Sequence, residues 1–163
     1  MMVRFQPEEI FTVLHHHRVE YVTIGGIAAT LHGSNLRTGD LDICPKKDED
    51  NLTRLAAALK KLDARIRAAG APGGIPVTID AQFLDTVELV NFTTRFGDFD
   101  VSFLPSGTAG FDDLRKNAVE FDLDGLVVPV ASLEDVIRSK QAANRQQDRD
   151  QLPALRALLE EIR

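Results

Sequence analysis

Apolar and polar positions change period several times along the chain, and each change marks an element. Pro7 opens a stretch in which Ile10, Phe11, Val13 and Leu14 fall on one helical stripe, which predicts a helix over 7–17. A run of apolar residues over 19–24 reads as a buried strand. A short helix over 26–31 follows, broken by His32-Gly33-Ser34-Asn35, and a second strand over 41–44 is closed by Pro45. Leu52, Leu55, Leu59 and Leu62 recur at three- and four-residue spacing, so 48–62 is helical. The Gly-, Pro- and Ala-rich stretch 68–76 reads as a flexible loop, an insertion or a lid. Strands over 87–94 and 99–104 flank Arg95-Phe96-Gly97-Asp98 as a hairpin, 111–117 is a short helix, and strands over 119–123 and 126–130 turn about Asp124-Gly125. Ser132 caps a helix that runs to about Arg145, with Asp135 where a capping box has Glu or Gln. Leu152, Leu155, Leu158, Leu159 and Ile162 carry a last helix. Strands and helices interleave without an internal repeat. The expected fold class is α/β (α+β): a small mixed, partly antiparallel sheet flanked by helices, with a helical C-terminus. The expected organisation is one domain over 1–163, its sheet at about 19–131 and its C-terminal helices at about 132–163.

Chemistry enters where the first buried run ends in glycine. Val22-Thr23-Ile24-Gly25-Gly26 is followed by thirteen residues and then by Asp40-Leu41-Asp42-Ile43. On a strand of period two, Asp40 and Asp42 share one face while Leu41 and Ile43 share the other. Side-by-side carboxylates repel, and a fold tolerates them most readily around a cation. Hard oxygen ligands supplied by few protein groups suit Mg²⁺, which binds one or two carboxylates together with substrate phosphates. Gly25 and Gly26 make a tight strand-to-helix turn and also let a phosphate approach the backbone at a helix start. A phosphate cradle beside metal-binding carboxylates points to chemistry on a nucleoside triphosphate. Asp100, flanked by Phe99 and Val101, is the natural third carboxylate, with Asp98 on the same face as its competitor. Arg37 offers a fork for phosphate oxygens, Ser34 and Thr38 are hydroxyl groups just ahead of Asp40, and His32 stands either at a helix end or at the rim of the site.

These residues in this order resemble the nucleotidyltransferase superfamily that includes DNA polymerase β. Its pattern is an apolar residue, Gly-Gly or Gly-Ser, a short gap, Asp-x-Asp on a strand, and a third carboxylate on a later strand. The resemblance implies two Mg²⁺ ions held by Asp40, Asp42 and Asp100, with a nucleoside triphosphate as substrate. It also implies transfer of a nucleoside monophosphate to an acceptor hydroxyl, Asp100 helping to deprotonate that hydroxyl. Gly25, Gly26, Ser34, Arg37, Thr38 and Lys140 are the expected nucleotide contacts. The run Ser139-Lys140-Gln141-Ala142-Ala143-Asn144-Arg145-Gln146-Gln147-Asp148 resembles, more narrowly, the AbiEii-like and MenT-like toxin nucleotidyltransferases. Gly25-Gly26 with Ala28, His32-Gly33, and Arg37-Thr38 before Asp-Leu-Asp look like the same branch. That likeness implies Lys140 on the triphosphate or base and Asp148 as a late functional acid. It further implies a toxin modifying the tRNA 3′ end, with a cognate antitoxin as partner. A continuous helix would place Lys140 and Asp148, eight apart, on similar faces, and a solvated ion-pair surface accounts for them equally. The chain stops soon after Asp148, whereas many AbiEii-like proteins continue, so two other readings stand beside the first. One is a small-molecule, antibiotic-type nucleotidyltransferase. The other is a partner-regulated or inactive domain that acts as a binding protein or antitoxin.

Composition narrows this further. No apolar run reaches transmembrane length, and the N-terminus lacks a signal-peptide core. The lone Cys44 allows no internal disulfide and is expected to be a buried, inert thiol. A cytoplasmic location and no membrane partner are the expectations. The net charge of −6 argues against a general nucleic-acid binder, yet it is unevenly spread. Residues 35–67 carry eight basic and six acidic groups, whereas 76–124 carry three basic and ten acidic. RNA contact would therefore fall to Arg37, Lys46, Lys47, Arg54, Lys60, Lys61 and the C-terminal helices. His15-His16-His17 point in different directions on a helix and make a poor metal site.

Overall fold

The structure, a computed structural model, describes residues 3–163. The elements run α1 (Pro7–His16), β1 (Tyr21–Ile24), α2 (Gly25–Leu31), β2 (Asp40–Pro45), α3 (Glu49–Lys61), β3 (Arg65–Ala68), β4 (Ala71–Ile75) and α4 (Ala81–Asp85), continuing with β5 (Leu89–Thr94), β6 (Gly97–Ser102), α5 (Phe111–Asn117), β7 (Val119–Leu123), β8 (Leu126–Val130), α6 (Leu133–Ala143) and α7 (Gln146–Ile162). All strands join one eight-stranded sheet in the order β4-β3-β5-β6-β2-β1-β8-β7. The sheet is mixed: β2 runs parallel to β6 and β1 parallel to β8, while the other neighbours are antiparallel.

The alternation in β2 and β6 sets the two faces of the sheet centre. Leu41, Ile43, Phe99 and Val101 are fully buried in the continuous apolar core, and burying each such side chain stabilises by roughly 1.5–3 kcal/mol. The acidic residues between them are forced to the other face. Cys44 is buried beside them, and burial pushes its thiol up to about 12, so it is unreactive as expected. Helix α2 packs on β1, β2 and α6, and α6 packs on α7.

One sequence expectation is corrected. The stretch 68–76 is no loop: it contributes the end of β3 and all of β4, and β3 pairs with β5 through Arg65↔Thr93 and Ile66↔Phe92. Gly74, which obscured the strand signal, is the residue that fits there. A Cβ on it would lie 2.7 Å from both Arg65 Cβ and Thr93 Cγ2. At the C-terminus the two expected helices are present. Asn144 adopts a left-handed φ of 51° and ends α6, so Lys140 and Asp148 belong to different helices.

Asn51 ties the start of the sheet to α3. Its fully buried amide accepts from Glu20 N (2.8 Å) and donates to Glu20 O (2.8 Å) and Lys46 O (2.7 Å). Removing it strands three backbone groups, so Asn51→Ala is expected to cost about 2–4 kcal/mol in urea unfolding. The exposed Thr53→Ala on the same helix should stay within about 0.5 kcal/mol. Equal losses in the two variants would dismiss this clip.

Candidate active site

The parallel pairing of β2 and β6 carries the site. Asp40 stands level with Asp98, and Asp42 with Asp100. One carboxylate oxygen from each of Asp40, Asp42 and Asp100 lies within 4.8 Å of the others. Asp98, the competitor, lies outside this trio, 3.6 Å from Arg67 Nε. Three hard oxygen donors converging from two adjacent strands are a donor set that fits hard divalent cations such as Mg²⁺.

Electrostatics gives an independent measure of the crowding. Burial, then the charges of Asp40 and Asp100, push Asp42 up to about 8, with Lys140 opposing. Asp100 is only 8% exposed. Burial, then hydrogen bonding to Asp40, push it up to about 6, opposed by the guanidinium of Arg67. Near neutrality the cluster therefore retains a proton unless a cation replaces it.

The glycine pair serves this cluster sterically. Ile24 is level with Asp42 across β1 and β2, and Gly25 follows with φ +69°. A Cβ on Gly25 would overlap the Asp42 carboxylate, and one on Gly26 would meet Thr38 Oγ1 at 2.8 Å. Thr38 in turn donates to the Asp40 backbone carbonyl (3.1 Å) and stands 3.4 Å from its carboxylate. Thr38 thus orients the first ligand.

Beside the carboxylates opens a cavity of about 330 Å³ between the end of the sheet, the loop after β6, and helices α6 and α7. Gly25, Asp42, Lys140 and Asp148 border it, together with Asp135 and Ser139 of α6. Lys140 is nearly enclosed, at 13% side-chain exposure, and donates to Gln151 Oε1 (2.8 Å). Gly26, Ser34, Arg37 and Thr38 are not part of this cavity wall. Ser34 accepts from Leu36 N (3.1 Å) and shapes its own turn, and Arg37 is exposed. His32 reaches Ala131 O (2.8 Å) and packs edge-on against Phe121, which makes it a strut at the helix end.

Asp148 is not part of a solvated pair. Its side chain is 0% exposed. One oxygen accepts from Arg145 N (3.0 Å) and Nε (2.7 Å), the other from Arg145 Nη2 (3.1 Å), with Lys140 Nζ at 3.7 Å. Burial opposes its ionisation, but the hydrogen bonds and charge of Arg145, aided by Lys140, outweigh that and hold it below the usual carboxylate range. Asp148 thus anchors Arg145 and Lys140. The apparent capping box at Arg145 is the same set of contacts.

Sequence reasoning missed Arg67, whose guanidinium donates to the Asp100 carboxylate. The signal was present: Arg65-Ile66-Arg67-Ala68 alternates with period two, which puts two basic residues on one face of a strand.

No family model matches the chain, and no curated protein matches it in sequence. Its fold does match solved structures. The lincosamide antibiotic adenylyltransferase LnuA, in its lincomycin-bound form, superposes with a TM-score of 0.61 at 15% identity, over 95% of this chain and 99% of that one. The antibiotic-resistance factor ANT(2'')-Ia gives 0.57 at 12% identity, over 96% and 82%. An antigenic nucleotidyltransferase-like protein from Paracoccidioides brasiliensis gives 0.54 at 17% identity, over 96% and 78%. The chain thus has the nucleotidyltransferase fold.

The raised carboxyls fix a pH dependence. The folded chain holds protons at Asp42 and Asp100 that the unfolded chain releases near pH 4. Their stabilising contribution is therefore full below that pH and lost as pH rises through about 6 and then 8. Metal-free Asp42→Asn should come closest to the parent at pH 4 and exceed its stability at pH 8 by on the order of 2 kcal/mol or more. Mg²⁺ should stabilise the parent at pH 8 and leave the variant nearly unmoved. Thermal melts at both pH values, with and without Mg²⁺, measure this. A variant that is less stable than the parent at pH 8 would contradict the crowding.

Proposed function

We propose that the chain is a Mg²⁺-dependent nucleotidyltransferase that moves a nucleoside monophosphate from a nucleoside triphosphate onto a hydroxyl of a small-molecule acceptor. The observation that carries the reading is the convergence of Asp40, Asp42 and Asp100 beside a cavity that Lys140 also borders. Asp40, Asp42 and Asp100 would hold the divalent cations, two in number on this reading. When bound, Mg²⁺ supplies positive charge to the phosphates and to the attacking and leaving oxygens. Lys140 meets polyphosphate oxygens from the cavity side. Gly25 leaves the backbone open beside Asp42, whereas Gly26, Ser34, Arg37 and Thr38 stand outside the cavity wall. The acceptor oxygen attacks the α-phosphorus, the bond to the bridging oxygen breaks, and pyrophosphate leaves. Asp100, the most enclosed of the three carboxylates, takes the hydroxyl proton.

Three features favour a small acceptor over RNA. The cavity has the volume of a site for a small ligand. The fold neighbour LnuA, matched over nearly its whole length, is described with lincomycin bound. Two of the six basic residues that would track RNA are partly offset: Lys46 pairs with Glu20 (3.8 Å) and Asp48 (3.6 Å), and Arg54 with Glu20 (3.8 Å). A tRNA acceptor, with its antitoxin partner, becomes an outcome of the test.

The test is incubation with each α-labelled nucleoside triphosphate and Mg²⁺, against a panel of hydroxylated small molecules and, separately, total tRNA. Label on a small molecule is expected, with loss to background in Asp42→Ala. Lys140→Ala should weaken nucleotide binding by about 10- to 100-fold, as for a lost charged hydrogen bond. Label on tRNA alone would replace the acceptor. Unimpaired transfer by Asp42→Ala would end the carboxylate mechanism.

A further inference from the structure

The face of the sheet that carries the carboxylates also carries a fixed positive charge. Arg67 of β3 reaches across β5 to Asp100 of β6. Continuing the Ile66↔Phe92 register brings Arg67 level with Asn91, and Asn91 is level with Asp100, which is level with Asp42. The row therefore runs Arg67, Asn91, Asp100, Asp42 across four strands. One guanidinium nitrogen, Nη2, donates both to Asp100 Oδ1 and to the Phe92 carbonyl (3.0 Å). Nε is buried without a hydrogen bond, so Asp100 and Phe92 hold the head group, and Asp98 at 3.6 Å does not. A guanidinium does not lose its proton in proteins, so this charge is permanent.

We propose that Arg67 is a built-in cation standing on Asp100 in place of a second metal ion, so that the chain without nucleotide holds one divalent ion and admits another only with polyphosphate. This rests on the metal role given above to Asp40, Asp42 and Asp100. The charge balance carries it. Three carboxylates, one divalent ion and one guanidinium sum to zero. A second divalent ion leaves an excess of two positive charges until a polyphosphate compensates them. Asp98 outside the row and Lys140 on the cavity side carry opposite charges and leave the balance unchanged. Arg67 also engages one of the two oxygens that Asp100 can offer. It is a positioning residue: it acts through Asp100 and sets the order in which ions and nucleotide assemble.

Mn²⁺ titration of the metal-free full chain, with free Mn²⁺ counted by electron paramagnetic resonance, tests this without relying on activity. The parent chain should bind one ion alone and two in the presence of a non-hydrolysable α,β-methylene nucleoside triphosphate, a comparison that needs no variant. Arg67→Gln and Arg67→Met should both bind a second ion without nucleotide, tightened by about tenfold or more, because both remove the charge. Two ions on the nucleotide-free parent, or unchanged binding in both variants, would overturn the role of Arg67 while leaving the metal site standing. A change in the Met variant alone would do the same, since it would assign the effect to the lost hydrogen bond and not to charge. No Mn²⁺ binding at all, or binding indifferent to Asp42→Asn, would bring down both this role and the metal site beneath it.

Discussion

Three carboxylates brought within 4.8 Å of one another by the two central strands form a repulsive cluster, and much of the surrounding architecture answers to it. The repulsion follows from the register itself. Leu41, Ile43, Phe99 and Val101 must enter the core, so the alternate residues of β2 and β6 meet on the opposite face. A slip of one residue would bury acids and expose core, so the hydrophobic pattern enforces the electrostatic cost. The glycine pair, the Thr38 contact and Arg67 all serve to seat these carboxylates or offset their charge. A fold that retains such a cluster at its centre is arranged around something it binds.

The C-terminal helices meet the cluster from the cavity side through a second, better-satisfied set of charges. Asp148 is enclosed, yet each of its oxygens has partners, and it holds Arg145 and Lys140 together across the break at Asn144. A buried ion pair is weak evidence for stability, and its gain is more often geometric. Here the geometric result is a lysine whose amine is fixed by Asp148 and Gln151 at the border of the cavity, close enough for its charge to bear on Asp42. The left-handed residue that divides α6 from α7 is what allows α7 to fold back and deliver Asp148 to that lysine.

How much of this was legible in the sequence depended on whether the signal was local. The strands of the Asp-x-Asp and Asp100 segments, the amphipathic α3, and the Asp124-Gly125 hairpin follow from period and turn chemistry, and the structure has each within a few residues. The Asp40, Asp42 and Asp100 constellation could be proposed because a shared face is a property of each strand taken singly. The β3–β4 hairpin was not legible, because glycine and proline read locally as a loop while the pairing with β5 is supplied from more than twenty residues away. Arg67 was lost with it. The burial of Asp148 was hidden for a different reason. Eight-residue spacing on an assumed continuous helix suggests a shared surface, and only the backbone turn at Asn144 converts it into an enclosed contact. Ser34 and Arg37 show the converse. Proximity in sequence to a metal-ligand candidate does not place a side chain in the cavity beside it.

The division of labour between sheet and helices bears on how such a site diversifies. The carboxylates proposed to hold metal sit on β2 and β6, locked by register and by core residues on the opposite face, and Lys140 of α6 meets the proposed phosphate site from the cavity side. The rest of the cavity comes from the loop after β6 and from α6, with Pro105, Ser106, Thr108, Asp135 and Ser139 among its walls. These wall residues lie outside the strands that carry Asp40, Asp42 and Asp100, so on the proposed function acceptor preference can change while the carboxylates keep their register. That separation matches a general property of folds, in which a rigid scaffold fixes the chemistry and variable segments select the substrate.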